Sequence, residues 1–151
     1  MPALQWNESY SVHNKTIDSQ HKVLFEIFNK LHVECSNNDR EALQSALLEL
    51  HKYTVYHFEA EERFMVSVTF KGVIMHKIEH KYFVKRIQEV IDQEGDQSGD
   101  QLRVLITFLS SWLIQHVLGE DKKIPVIANA RHGSNNCISG SSTNKELSAH
   151  G

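Results

Sequence analysis

Five histidines and two carboxylates stand at helical intervals in four separate stretches of this chain. They are His21, then His57 with Glu61, then His76 with His80, then His116 with Asp121. Residues four apart on an α-helix project from one face, one turn above each other, so His57 and Glu61 aim the same way and so do His76 and His80. With 10 His in 151 residues, one HxxxH spacing arises readily by chance. The conjunction of four stretches does not. Together they supply enough donor atoms for two metal ions.

Each stretch also sets its polar residues on an apolar stripe. From His21 the stripe continues through Leu24, Phe25, Phe28, Leu31 and Cys35, at steps of three or four. The second runs through Leu43, Leu47, Leu50, Thr54, His57, Glu61 and Met65. Val73, His76, His80, Phe83, Ile87 and Val90 share a side of the third, with Lys77 and Glu79 on its wet face. Leu102, Leu105, Leu109, Trp112, Leu113 and His116 share a side of the fourth. A single buried histidine is ordinarily satisfied by a hydrogen bond. Five of them with two acids need a shared partner, because a buried polar group without one is costly.

Asp121 breaks the register. It lies five residues beyond His116, which at about 100° per residue places it roughly 140° around an uninterrupted helix. The helix must end, loosen or form a wide turn between the two, and Gly119 sits in that interval as the residue best able to leave helical dihedrals.

The order His, HFxxE, HxxxH, HxxxxD, with these intervals, resembles the hemerythrins. The long interval from His21 to His57 resembles the single-domain bacteriohemerythrin type. The resemblance covers about Trp6 to Lys123 and fills every ligand position of the motif. It implies two iron ions with a bridging oxo or hydroxo group. His76, His80 and His116 would hold one iron, His21 and His57 the other, and Glu61 and Asp121 would bridge them. The second iron then has one protein ligand fewer, and the family binds dioxygen end-on there. Leu24, Phe58, Trp112, Leu113 and Val117 fall at the family's oxygen-pocket positions. The first 17 residues, which lack a helical period, resemble the family's extended N-terminal arm, with Trp6 packed across the bundle. Two positions depart from the family pattern. Phe70 and Lys71 stand where a tyrosine, often followed by proline, is common, and Gly119 lies inside the last ligand segment.

Donor type supports the same class of chemistry without choosing the metal, since imidazole suits iron, copper, nickel and zinc. Carboxylate-rich bundle sites surround their irons with anions. Five neutral donors and two anions compensate a metal pair less, which disfavours the high oxidation states needed to cleave oxygen. The expected function is therefore reversible dioxygen binding for storage, transport or delivery, without a catalytic reaction. Two alternatives use the same centre. One is an oxygen, nitric oxide or iron sensing module, and the other a di-iron peroxidase or nitric oxide reductase.

Length and composition fit one domain, and the helical periods make it all-α. A chain of 151 residues can bury a useful core, and a formal charge of −3 with no basic stripe gives no case for nucleic acid. The longest uncharged apolar stretch, Val104 to Gln115, has the length of a buried helix and contains two serines, so no membrane span is expected. The N-terminal residues carry neither a basic start nor an apolar segment, and a cytoplasmic location is the expectation. Cys35 falls on the inner stripe, as a buried thiol would, and Cys137 in a polar tail; a disulfide between them is the alternative, disfavoured by a cytoplasmic setting. His13, His32, His51, His132 and His150 fall outside the motif and are expected to bind no metal.

The boundaries are punctuated. Asp18 is the expected cap of a helix from about Ser19 to Ser36, and Asp39 of a second reaching about Val66. A third begins at about Thr69 and ends near Glu94, and Ser98 with Gln101 forms a capping-box pattern for the fourth. Short polar connections imply antiparallel neighbours, hence an up-down-up-down four-helix bundle. The domain is expected to span residues 1–130, with Ile124 to Ala130 as an apolar closing turn. Residues 131–151, rich in Ser, Asn and Gly, are expected to form a flexible tail.

Overall fold

The computed structural model describes residues 3–93, 95 and 98–124. Four long helices follow a short 3-10 turn at Glu8–Tyr10: α1 (Lys15–Asn37), α2 (Arg40–Ser67), α3 (Val73–Gln93) and α4 (Gly99–Leu118). Each helix packs on its neighbours around a ring, α1 on α2, α2 on α3, α3 on α4 and α4 on α1. The result is an up-down-up-down bundle. No helix among the described residues is long and apolar enough to cross a membrane.

Local chemistry sets most of the helix ends. Asp39 accepts from the Ala42 N–H at 3.0 Å, and Ser98 and Gln101 form the reciprocal capping box expected of them. Helix α1 differs. It starts at Lys15, capped by the Asn14 side chain on the Ile17 N–H, one turn before the start that Asp18 suggests. Asp18 is engaged elsewhere, because its carboxylate accepts from the Ser11 hydroxyl at 2.7 Å and the Val12 N–H at 2.9 Å. Those bonds fasten the arm to the first turn. Asn29 fastens it again by pairing with both backbone groups of Leu4, at 2.7 and 2.8 Å. Trp6 thereby lies against Phe25 and Tyr10, at centroid distances of 6.0 and 5.9 Å, with the Lys22 ammonium over its ring.

Helix α3 starts at Val73, later than the expected Thr69. Thr69 adopts a left-handed backbone conformation (φ 56°), and the Phe70 N–H bonds back to the Met65 carbonyl, which ends α2 in a tight reversal. Phe70 then packs with Met65 and Ile124. Gly72 lies so close beneath it that a Cβ there would stand 2.7 Å from the ring. The loop holds its shape by packing an aromatic ring over a glycine.

The stripes of α1 and α2 are buried as the spacing indicates, Thr54 included. Helix α4 is rotated relative to its expected stripe. Ile106, Ser110 and Val117 are buried with Leu102, Leu109 and Leu113, while Leu105 and Trp112 are only half-buried. Apolar residues occur on every side of this helix, so periodicity alone left its inner face underdetermined. Cys35 is a buried free thiol beside the Gly99 carbonyl. Cys137, the boundary at residue 130 and the tail lie outside the described residues.

Asn14→Ala should cost about 1 kcal/mol through the lost cap, and Asp18→Ala about 1–2 kcal/mol through two lost bonds to a carboxylate. Urea unfolding measures both. Only Asp18→Ala should also shift the fluorescence of Trp6, since it releases the arm.

Candidate metal centre

All seven residues singled out by spacing converge inside the bundle. His21 comes from α1, His57 and Glu61 from α2, His76 and His80 from α3, and His116 from the end of α4, with Asp121 just beyond it. None is more than 3% exposed. Asp121 reaches the centre through a wide turn, in which its N–H bonds to the His116 carbonyl five residues back at 3.1 Å. Gly119 does not supply this by leaving helical dihedrals. Its backbone stays right-handed (φ −103°, ψ −74°), and its N–H still bonds to the Gln115 carbonyl.

The donors form two groups that share both carboxylates. One holds His76, His80 and His116, the other His21 and His57, and Glu61 and Asp121 belong to each. Every carboxylate divides its oxygens between them. Glu61 turns Oε1 to His76 (2.8 Å) and His80 (3.2 Å), and Oε2 to His57 (3.4 Å) and His21 (3.7 Å). Asp121 turns Oδ1 to His76 and His116, both at 3.0 Å, and Oδ2 to His21 at 3.1 Å.

Hydrogen bonding alone does not satisfy this cluster. The Nε2 atom of His116 faces those of both His76 and His80 at 3.1 Å, although only one proton can occupy each nitrogen–nitrogen contact. Both Asp121 oxygens, Glu61 Oε2, His57 Nε2 and both ring nitrogens of His21 lack a properly oriented hydrogen bond. Apart from the hydrogen bond between His76 Nε2 and Glu61 Oε1 at 2.8 Å, the carboxylate–imidazole distances within the cluster are electrostatic approaches rather than directed bonds. A cation shared by the lone pairs resolves the conflict. Donors held about 2.1 Å from a common ion at right angles stand about 3 Å apart, which matches the spacing observed around His116. The residues therefore fit a pair of metal ions.

The outer ring nitrogens fix the tautomers. His57 Nδ1 bonds to Gln20 Oε1 at 2.7 Å, His80 Nδ1 to Glu62 Oε1 at 3.0 Å, and His116 Nδ1 to Glu79 Oε2 at 3.0 Å. Each acceptor holds a proton on Nδ1 and leaves the Nε2 lone pair aimed inward, as metal-binding imidazoles require. Spacing did not identify these three acceptors, and Glu79 was placed on a wet face. The available signal was adjacency, because each stands beside a residue of the centre on its own helix: Gln20 beside His21, Glu62 beside Glu61, Glu79 beside His80. Thr54 was also missed as a polar feature. Its hydroxyl is fully buried one turn before His57 and has no hydrogen-bond partner among the described residues.

Two of the apolar residues named as pocket positions lie against this centre. Phe58 stacks on His80 at 3.7 Å, and Trp112 lies flat between His116 (4.8 Å) and Phe83 (4.3 Å). These two rings wall the three-histidine group. Leu24, Leu113 and Val117 are fully buried in the adjoining core.

The electrostatics show how strongly the carboxylates call for positive charge. Burial opposes it, yet the closely approaching carboxylates of Asp121 and Glu61 raise His21 to about 9 and His76 to about 10, against an ordinary 6.5. His116 is raised despite its burial, chiefly by the charge of Asp121. His57 is lowered, because there burial outweighs the pull of Glu61. Burial would raise both acids, but the surrounding imidazoles hold Glu61 and Asp121 well below the usual carboxylate range.

Comparisons with known proteins identify the family. Residues 12–124 match the family described as the hemerythrin HHE cation binding domain, and the chain belongs to the hemerythrin family. It is 34% identical over 124 residues to a bacteriohemerythrin from Stenotrophomonas maltophilia, covering 81% of this chain and 79% of that one. A myohemerythrin from Riftia pachyptila is 33% identical over 118 residues, 78% of this chain and 88% of its own. Among solved structures, wild-type hemerythrin superposes with a TM-score of 0.74 at 26% identity, covering 80% of this chain and 94% of that one. A leucine-to-alanine mutant of hemerythrin gives 0.77 at 25% identity, over 84% of this chain and 98% of that one.

Opposite pH dependences follow for the metal-free and loaded forms. In the metal-free chain, folded values of about 9 and 10 exceed the ordinary 6.5, so the stabilisation from His21 and His76 is complete below about 6.5 and fades through pH 9–10. The lowered Glu61 adds stability above its ordinary 4.5, which is lost on acidification. Urea midpoints of the metal-free protein should therefore fall from pH 6.5 to 10. With ferrous iron the midpoint should rise over the neutral range, because cations displace the ligand protons.

Proposed function

We propose that the chain binds dioxygen reversibly at a pair of iron ions, in storage, transport or delivery of oxygen and without turning over a substrate. One observation carries this reading. Glu61 and Asp121 each offer one oxygen to either histidine group, and the groups differ by one histidine. His76, His80 and His116 would hold one iron and His21 and His57 the other, with the two carboxylates between them. When bound, the iron pair would supply redox chemistry, and the histidine-poorer side offers it one protein donor fewer.

The chain's own residues perform the rest. Gln20, Glu62 and Glu79 keep the ring protons on the outer nitrogens, so the inner lone pairs stay available for metal. Leu24, Leu113 and Val117, with the rings of Phe58 and Trp112, keep water and anions from the centre. Five neutral imidazoles against two carboxylates leave the pair short of anionic compensation, which favours release of oxygen over its cleavage.

Metal analysis with visible spectroscopy tests the function. The reduced protein should carry two irons per chain, gain colour in air and lose it when the gas is removed. Irreversible bleaching, or sustained consumption of a substrate with oxygen, would contradict the reading. His76→Ala should lose one iron and the reversible colour, because His76 contacts both carboxylates.

Leu113→Thr separates a wall from mere packing. A polar group at this fully buried site should speed loss of the colour, measured by stopped flow, while far-ultraviolet helix content is retained. An unchanged rate would remove Leu113 from the pocket.

A further inference from the structure

The outer braces run in one direction around the bundle. Gln20 of α1 holds His57 of α2, Glu62 of α2 holds His80 of α3, and Glu79 of α3 holds His116 of α4. The step that would close the circuit, from α4 to His21, is missing, and His21 Nδ1 has no partner among the described residues. The braces also differ in charge. Both on the three-histidine group are carboxylates, whereas the one on the two-histidine group is a neutral amide, 6% exposed.

We infer that Glu62 and Glu79 are positioning residues that make the three-histidine group the tighter, first-filled metal position, and that neutral Gln20 leaves the two-histidine group the weaker, second-filled one. The inference rests on the di-iron reading above and adds to it an order of loading. An anionic acceptor on Nδ1–H pushes electron density through the ring, so the opposite nitrogen donates more strongly to a cation. A carboxamide in the same place orients the ring and adds no charge. Solvent screening grades the two acids, since the Glu62 side chain is 23% exposed and that of Glu79 40%. Glu62 therefore contributes more than Glu79.

The groove between α2 and α3 supplies an internal control. It is lined by Glu59 and Glu62, with Phe58 and His80 among its other walls. Both acids line the groove that His80 also walls, but Glu62 alone bonds to its ring. A general effect of negative charge in the groove would register at both.

The experiment titrates the metal-free full-length chain with cobalt(II), followed by its visible absorption against a competing chelator, with ferrous iron stoichiometry measured in parallel. The wild type should bind two ions in separate steps. Glu62→Gln with Glu79→Gln should weaken the first step by about 10- to 100-fold and spare the second, the Glu62 substitution having the larger effect. Gln20→Glu should strengthen the second step and so narrow the gap from the other side. Glu59→Gln should change neither step. Glutamine retains an accepting oxygen, so these shifts read charge at the brace rather than loss of ring orientation. Two ions bound with a gap that none of these substitutions moves, or one that Glu59→Gln moves equally, would overturn the inference and leave the di-iron reading intact. Uptake of fewer than two ions by the wild type would overturn both.

Discussion

Two carboxylates buried among five imidazoles organise this protein. Glu61 and Asp121 are at most 1% exposed, and no aliphatic neighbour can offset a buried negative charge. Leaving one such charge without its partner typically costs about 3–5 kcal/mol, a large share of a domain's net stability. All four helices contribute to that compensation: one histidine from α1, one from α2, two from α3 and one from α4. The bundle is thus tied together at a polar point near one end. The apolar layers from Leu24 to Leu102 fill the rest of its length.

Much of this was readable in the chain. Spacing of three and four residues placed His57 and Glu61 on one face, and His76 and His80 on another, and the caps at Asp39 and Ser98 set two helix starts. Asp18 was misread as a cap because short acidic side chains serve equally well in tying loops. Here it binds the arm at Ser11 and Val12, and Asn14 takes the cap. The inner face of α4 was ambiguous because apolar residues surround it. Glu62 and Glu79 carried only the weak signal of adjacency to Glu61 and His80 on their own helices, since each acts on a histidine of the next one. Contacts between helices are a property of packing, and a periodicity records only which face turns inward.

The wide turn at Asp121 shows sequence and structure meeting at a point of strain in the pattern. Five residues separate His116 from Asp121, too many for a shared helical face. The chain resolves the conflict by widening one hydrogen-bonded ring while Gly119 keeps a right-handed backbone. A Cβ at Gly119 would stand 3.1 Å from the Gln115 carbonyl, so close approach explains the glycine better than unusual dihedrals do. The same economy appears at Gly72 beneath Phe70, where the α2–α3 reversal sets the position of His76.

The central claim is that paired cations, shared through Glu61 and Asp121, reconcile these buried donors. Anomalous diffraction from iron-loaded crystals tests it most directly. The account predicts two iron peaks per chain, one against His76, His80 and His116 and one against His21 and His57, with both carboxylates touching each. A single peak, or imidazoles rotated away from an empty interior after exposure to ferrous iron, would contradict it.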